Sequence, residues 1–130
     1  MGIMQLFGNV EMSETNNVVD LINAGIRAEN LRQKAIARNF ANFETPGYRR
    51  VDVTFKELLK ACSGSSDGGD INKAEPELYE PRQTPLNANG NDLSLEVEVG
   101  NLVKNSLKHK AYVRVLHKKY AQIEMAINTG

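Results

Sequence analysis

The amino-acid sequence predicts a mainly α-helical protein in which long N-terminal and C-terminal helices pack as a coiled-coil-like pair. Apolar residues recur three and four positions apart over two long stretches, one toward each end of the chain. The segment between them contains prolines, glycines and short alternating patterns, which favour a partly extended or β middle segment and a flexible loop. At 130 residues, the chain is expected to form a single domain.

The first helix is predicted over residues 17–43, after a flexible N-terminal segment at residues 1–16. Its main apolar strip is formed by Leu21, Ala24, Ala28, Leu31 and Ala35. A second strip lies about a third of a turn away at ~100° per residue. It contains Val19, Ile22, Ile26, Ile36 and Phe40.

A turn at Thr45-Pro46-Gly47-Tyr48 is expected to end this helix. Proline disfavours helical geometry at the residue before it, and Pro-Gly suits the middle of a type II turn. The turn and a short extension are assigned to residues 44–53.

Two further pieces follow the extension. A capping-box pattern that begins at Thr54 predicts a short helix within residues 54–62. Residues 63–75 are rich in glycine and serine and contain too little apolar surface to offset the entropy lost on ordering. This stretch is therefore predicted to be a flexible loop.

Residues 76–92 are predicted to be extended or β. The clearest candidate strand lies around Leu78 and Tyr79, between two prolines. Asn89-Gly90 is typical of a tight turn. This turn is expected to lead the chain back toward the second long helix.

The second long helix is predicted over residues 93–128. Its first residues alternate apolar and polar side chains, as a strand does, but a helical repeat of about four heptads follows at once. The repeat is Val99, Leu102, Ser106, His109, Val113, Leu116, Tyr120, Ile123 and Ile127. Glu96 and Glu98 suit the positive end of the helix dipole.

Both helices carry a second apolar strip, whereas a lone helical hairpin needs only one apolar face on each helix. On the second helix this strip is Val103, Leu107, Ala111 and Val115. The middle segment could cover part of this surface. Alternatively, other protein chains cover it.

Charge is unevenly distributed although the net charge is zero. Six Lys or Arg residues and no acid lie between Lys104 and Lys119, whereas residues 67–98 are acidic. These regions could be complementary surfaces on neighbouring subunits or simply solvated faces. The basic stretch, with Tyr112 and Tyr120, also leaves open a nucleic-acid-binding helix, although no known motif for that function is present.

No catalytic, metal or cofactor site is expected. His109 and His117 are eight residues apart and have no carboxylate at ligand spacing, and Cys62 has no evident base partner. The glycine-rich stretch lacks the ending of a phosphate-binding loop. We expect no enzyme activity. We also expect neither a Sec signal peptide nor a membrane-spanning segment.

The segment around the predicted turn resembles the N-terminal signature of bacterial flagellar rod and hook proteins. The matching residues are Asn39, Ala41, Asn42, Thr45, Pro46, Gly47 and Tyr48. The tail over Asn89–Glu98, followed by Leu102–Leu107, also resembles the C-terminal part of a short member of that family. Because the chain has no room for a large inserted domain, the resemblance favours the short proximal rod proteins.

The resemblance implies a structural subunit of the proximal rod that polymerises through its terminal helices and carries torque from the membrane ring. Implied partners are further copies, other rod subunits, the membrane ring with its adaptor proteins, and the flagellar type III export apparatus. It implies a periplasmic location in the basal body, no nucleic acid and no direct membrane insertion. The signature residues named above would guide assembly. The interface would be Leu21, Ala24, Ala28, Leu31, Ala35, Val113, Leu116, Tyr120, Ile123 and Ile127.

Overall fold

In the structure, a computed structural model, two long helices pack antiparallel against each other, and a small sheet packs against the first of them. The structure describes residues 2–56 and 74–129, with side chains described from residue 17 onward. Helix α1 spans Gly2–Ala41 and helix α2 spans Leu95–Thr129. Strands β1 (Asp52–Thr54) and β2 (Glu77–Tyr79) lie between them in the sequence and pair antiparallel, with Val53 opposite Leu78. The predicted mainly α fold with a β middle segment is confirmed.

Some element boundaries differ from those predicted. Helix α1 begins at Gly2, which corrects the predicted start at Asn17 and the predicted flexible segment at residues 1–16. The helical spacing of Ile3, Leu6, Phe7 and Val10 is consistent with this earlier start. Helix α2 begins two residues after the predicted start at Leu93. The predicted short helix at residues 54–62 and the loop at residues 63–75 fall largely outside the described residues, as does Cys62.

The core is thin and consists mainly of small side chains on one face of α1. One buried cluster comprises Ala24, Ala28, Phe55 and Ala74. A second comprises Ala35, Val51 and Val53, with Leu31 packed against it. Because alanine projects only a methyl group, the β1 region and α2 can approach the α1 backbone closely. No helix in the described ranges is both long enough and apolar enough to cross a membrane.

The face that α2 turns toward α1 is polar in its first half. Glu98 and Asn105 are buried there, whereas Val99 and Leu102 are exposed. The first half of the predicted apolar repeat is therefore wrong as the buried face of α2. The residues that are buried there, Glu98 and Asn105, each precede a residue of the predicted repeat by one position. Polar side chains occupy that face because α1 and the turn after it supply hydrogen-bonding partners.

The contact between Gly25 of α1 and Tyr112 of α2 shows how closely the helices approach. A Cβ atom at position 25 would lie 2.8 Å from the ring carbon Cζ of Tyr112, which is shorter than a normal contact. Gly100 is also helical, but a Cβ atom there would meet open space. The two glycines therefore form a matched pair in which only one substitution creates a clash.

We expect Gly100→Ala to raise the free energy of unfolding by about 1 kcal/mol, because alanine favours helix more than glycine. Gly25→Ala gains the same propensity but must displace the Tyr112 ring, so we expect a net loss of about 1 kcal/mol. Urea denaturation followed by circular dichroism measures both values. Equal stabilisation by the two substitutions would contradict the close contact.

Candidate assembly site

A buried group of polar side chains joins the end of α1, the turn after it, a second turn and the start of α2. We call this group the polar hub. Its members are Asn39, Arg50, Asn91, Asp92 and Glu98. Each is almost fully buried, so each depends on protein partners to replace the hydrogen bonds it would make to water.

Asn39 lies at the centre of the hub, with a side chain that is 0% exposed. Its Nδ2 donates to the carbonyl oxygen of Val51 at 2.9 Å and to Oε2 of Glu98 at 3.1 Å. Its Oδ1 accepts from the Val51 amide at 2.9 Å and from the Tyr48 hydroxyl at 3.2 Å. The amide thus uses both donors and both acceptor positions. It pairs with Val51 as a neighbouring strand would.

Arg50 and Glu98 form a buried ion pair next to Asn39. The Nε atom of Arg50 donates to Oε1 of Glu98 at 2.8 Å, and Glu98 is only 1% exposed. Burial alone would lower the pKa of Arg50, but the hydrogen bond and charge of Glu98, with the nearby carboxylates of Asp52 and Asp92, raise it. Arg50 therefore stays charged throughout the physiological pH range.

Asp92 connects the second turn to the first through two hydrogen bonds. Its Oδ1 accepts the backbone N–H of Arg50 at 2.6 Å, and its own N–H donates to the Tyr48 carbonyl oxygen at 3.3 Å. The other oxygen, Oδ2, is buried without a hydrogen bond and lies 3.8 Å from Nη1 of Arg49. Charge attraction from Arg49 therefore compensates for only part of the lost hydration of this oxygen.

The first turn has the geometry predicted for Thr45-Pro46-Gly47-Tyr48. Gly47 has a φ of +71°, and the Tyr48 amide donates to the Thr45 carbonyl oxygen at 3.4 Å. These features match a type II turn with glycine at its third position. Asn42 completes the end of α1, because its Nδ2 donates to the Arg38 carbonyl oxygen at 2.8 Å.

The second turn, around Asn89-Gly90, packs against the first. The Gly47 amide donates to the Asn89 carbonyl oxygen at 3.1 Å. Asn91 donates through Nδ2 to the Phe43 carbonyl oxygen at 2.8 Å, so it satisfies a carbonyl just beyond α1. Gly90 has a φ of +83°, and its backbone N–H closes the turn by donating to the carbonyl oxygen of Asn87 at 2.9 Å.

Tyr48 spans the space between this turn and α1. Burial raises the pKa of its hydroxyl, an effect that nearby Arg38 partly offsets. A raised folded-state pKa contributes stability that is present below the ordinary tyrosine value of about 10. That contribution is lost as the pH rises through the raised value. The hydroxyl is therefore a neutral donor to Asn39 at physiological pH.

A second buried polar contact joins the helices farther from the turns. Asn105 of α2 donates through Nδ2 to the backbone carbonyl oxygen of Glu29 at 2.7 Å and to its Oε2 at 2.9 Å. The other carboxylate oxygen of Glu29 accepts from Arg32. Together with the hub, this contact fixes the rotation of α2 against α1 at two levels.

Apart from Oδ2 of Asp92, the buried side-chain polar atoms of the hub have hydrogen-bond partners within the described residues. Among the described residues, no group of three or more His, Cys, Asp or Glu side chains could hold a metal ion. The arrangement joins four chain segments through short, directional hydrogen bonds and one buried ion pair.

Comparison with known proteins finds relatives that extend over nearly the whole chain. The flagellar basal body rod protein FlgB of Bacillus subtilis is 25% identical over 125 residues, covering 89% of this chain and 96% of the relative. FlgB of Borreliella burgdorferi is 22% identical over 134 residues, covering 89% and 99%. FlgB of Proteus mirabilis is 22% identical over 138 residues, covering 92% and 99%.

The chain is similar to flagellar rod proteins over about nine-tenths of its length. No family model matches it. The relatives nevertheless agree with the resemblance found in the signature around Asn39 and the Thr45–Tyr48 turn. The shared length also agrees with a short rod protein that lacks a large inserted domain.

The structure brings part of the predicted signature together. Asn39 and Tyr48 meet in the hub, and Thr45 donates through Oγ1 to Asn42 at 3.2 Å. The side chains of Ala41 and Pro46 are exposed, as is the Gly47 backbone. An assembly role for these residues stays a prediction.

The predicted interface residues divide into buried and exposed groups. Ala24, Ala28 and Ala35 are buried, and Leu21, Leu31, Val113, Leu116 and Ile123 are half-buried. Tyr120 and Ile127 are exposed. The alanine strip of α1 therefore packs inside this chain, whereas the end of α2 retains apolar surface.

Most of the hub was not predicted from the sequence. Arg50 was not selected, and Asp92 and Glu98 were assigned only local roles at the start of the second helix. One available signal was the seven-residue spacing of Glu98 and Asn105, which places both on one helix face. Polar residues at that spacing do not reveal whether they are buried.

We expect Gly47→Val to lower the free energy of unfolding by about 2 kcal/mol, because a β-branched residue resists a positive φ. No atom lies within 4 Å of a Cβ placed there, so the expected cost comes from backbone strain and not from a clash. Thermal and urea denaturation would measure it. Gly47→Asn is the matched control, since asparagine tolerates this geometry better. Equal stability of the valine variant and the unmodified chain would contradict the turn assignment.

Proposed function

We propose that this chain is a FlgB-type structural subunit of the bacterial flagellar basal-body rod and has no enzymatic activity. It polymerises through its terminal helices with other rod subunits and with itself, and it carries torque outward from the membrane ring. The observation that carries the proposal is the similarity to rod proteins of three distant bacteria over 89–92% of this chain.

The hub supports a mechanical role. A shaft subunit must resist shear between its helices, and directional hydrogen bonds and buried ion pairs resist such sliding better than apolar contacts alone. Asn39 joins α1 to Glu98 of α2, and Asn105 joins α2 back to Glu29 of α1. Load applied to one helix is therefore transferred to the other at two levels.

The exposed apolar surface supports assembly with other chains. Val103, Leu107 and Val115 on α2 are all exposed in this single chain. Contiguous apolar surface on a helix often marks an interaction site. In the rod, neighbouring subunits would bury this surface.

The subunit would leave the cytoplasm through the flagellar type III export apparatus without a cleavable signal peptide and act in the periplasmic part of the basal body. Its neighbours would be the membrane ring, the adaptor proteins between ring and rod, and other rod subunits. It would neither bind nucleic acid nor insert directly into the membrane.

Electron cryotomography of basal bodies in cells that lack this protein tests the proposal. We expect the rod, hook and filament to be absent while the inner-membrane ring remains. Expression of the unmodified chain from a plasmid should restore all three. Intact basal bodies in the deletion strain would refute the proposal.

The basic stretch of α2 favours one alternative, a nucleic-acid-binding helix. Lys104, Lys108 and Lys110 are all exposed, as binding to phosphates would require. Such binding would weaken steeply as salt is added, because it releases counterions from the nucleic acid. Absence of salt-dependent DNA or RNA binding would exclude this alternative.

A further inference from the structure

The side of α2 that faces away from α1 carries a regular stripe of exposed residues. Their spacing alternates between four and three positions, as in the contact face of a coiled coil. At ~100° per residue, all of them project within about 50° of the direction opposite the buried Glu98 and Asn105. We call this stripe the α2 outer face, and its members are Glu96, Gly100, Val103, Leu107, Lys110 and Arg114.

Two aliphatic side chains lie at the centre of the outer face. Val103 is 54% exposed and Leu107 is 63% exposed, and Val99, which flanks them, is 46% exposed. Large apolar side chains that remain exposed next to one another often mark an interaction site. Because α1 packs on the opposite side of α2, it leaves this centre uncovered.

The two ends of the outer face carry opposite charges. Glu96 lies seven residues before Val103, and Arg114 lies seven residues after Leu107. Both charged residues are exposed, and neither forms an ion pair with another described residue. The spacing of the face is therefore the same when it is read from either end, while the charges at its ends are reversed.

The packing of the described residues does not require a glycine at position 100. Gly100 lies within α2, and a Cβ atom there would meet open space. Alanine would therefore favour the helix more than glycine does. On the outer face, however, the missing side chain allows a second helix to approach the backbone closely.

We propose that two copies of the chain pair antiparallel through their α2 outer faces. Val103 of each copy packs against Leu107 of the other copy. Glu96 of each copy lies beside Arg114 of the other, so opposite charges meet at both ends of the pair.

The same register brings the aliphatic stem of Lys110 over Gly100 of the other copy, where no side chain obstructs it. All of these contacts form together because the two members of each pair lie equally far from the midpoint of the face. Both copies use the same surface, so the contact is isologous and closes after two copies.

This pairing goes beyond the proposed function and does not depend on it. The two helices of the pair run in opposite directions, whereas a shaft with a base and a tip needs contacts that repeat in one direction. The pair is therefore a form of the subunit outside the rod. It covers Val103 and Leu107 until the two copies separate.

A second copy fits the outer face better than a nucleic acid does. Phosphates would pair with Lys110 and Arg114, but Glu96 would repel them. They would also leave Val103 and Leu107 uncovered. In the antiparallel pair, each of these residues meets a complementary surface.

Sedimentation equilibrium tests the pairing. One helix face is smaller than a standard stable interface of about 1,600 Å², so we expect weak self-association, with a Kd on the order of 10–100 μM. Glu96→Arg or Arg114→Glu alone places like charges together at both ends of the pair, so each should weaken association at least about tenfold. A chain with both substitutions again has opposite charges at each end and should associate to within about threefold of the unmodified chain.

Lys108→Glu is the matched control for Arg114→Glu. It makes the same charge change on the same helix but projects about 120° away from Arg114, outside the α2 outer face. It should leave the Kd of self-association unchanged. Far-ultraviolet circular dichroism checks that each variant is folded.

Lys104→Ala distinguishes a second copy from a nucleic acid. Lys104 lies on the flank of the outer face and close to its midpoint, so in the pair it approaches Lys104 of the other copy. Its replacement removes this repulsion and should strengthen self-association about twofold. The same substitution would instead weaken binding to phosphates.

Disulfide formation measures the direction of the pair. The background is Cys62→Ser, which removes the one cysteine of the chain, and chains with Val103→Cys are mixed with chains with Leu107→Cys and oxidised. An antiparallel pair brings these two positions together, so the mixed disulfide should exceed either same-residue disulfide at least about fivefold. A parallel pair would favour the same-residue disulfides.

Four outcomes would overturn the proposed pairing. These are an unmodified chain that stays monomeric at about 1 mM, single charge variants that associate normally, a folded double variant that does not recover association, and a predominance of same-residue disulfides. If the chain is monomeric and both Arg114→Glu and Lys104→Ala weaken its binding to a DNA duplex, the outer face binds nucleic acid instead.

Discussion

Replacement of Asn39 by leucine is expected to lower the free energy of unfolding by about 4 kcal/mol. Leucine has a similar volume but can form none of the four hydrogen bonds that Asn39 makes. The N–H and C=O of Val51 would then be buried without partners. Each buried unsatisfied group costs about 1–3 kcal/mol, which the apolar side chain offsets only in part. Urea denaturation monitored by far-ultraviolet circular dichroism would measure the loss.

Asn30→Leu is the matched control for this substitution. Asn30 lies on the same helix but is exposed, so its replacement should change the free energy of unfolding by less than about 0.5 kcal/mol. A second variant, Asn39→Asp, keeps the acceptor oxygens but removes the donor to Val51 and places a negative charge beside Glu98. It should also be strongly destabilised. If both Asn39 variants are as stable as the Asn30 control, Asn39 does not hold the hub together.

The two long helices and the first turn could be predicted because their signals are local. Apolar residues three and four apart mark a helix wherever it packs, and Pro46-Gly47 specifies a turn through backbone geometry alone. The strand at Leu78 and Tyr79 was found in the same way. Each of these predictions needs only a few neighbouring residues.

The hub could not be predicted because its contacts join residues far apart in the sequence. Asn39 and Glu98 are separated by 59 positions, and Arg50 N–H and Asp92 by 42. A carboxylate on a helix is usually solvated, so local reasoning assigned Glu98 to the helix dipole. Burial of that carboxylate became favourable only because the turn after α1 brings Arg50 to it.

The same reason explains why the buried stripe on α2 lies one residue away from the predicted apolar repeat. The apolar periodicity predicted Val99 as the contact with α1, but the neighbouring Glu98 is buried there instead. Periodicity gives the spacing of a buried stripe and not the chemistry of its members. Where a partner helix and turn provide donors, a polar residue can occupy the stripe and leave its apolar neighbour exposed.

Glu98→Met is expected to lower the free energy of unfolding by about 4 kcal/mol, because it leaves the Arg50 guanidinium buried without its anion. Arg50→Met should cost about as much for the converse reason. The double variant replaces both charges with apolar groups of similar length, so it should be more stable than the sum of the two losses predicts. We expect a coupling energy of about 2–3 kcal/mol, obtained from urea denaturation of all four proteins.

The Glu80–Arg82 pair is the matched control for this cycle. Its atoms are 2.9 Å apart, close to the 2.8 Å of the buried pair, but the side chains of Glu80 and Arg82 are 45% and 64% exposed. Water and salt screen such a pair, so its coupling energy should be below about 1 kcal/mol and should fall further as salt is added. The Arg50–Glu98 coupling should persist at high salt because burial excludes counterions. If the two cycles give equal coupling energies, Arg50 and Glu98 are solvated in solution, and the hub cannot transfer load between the helices as proposed.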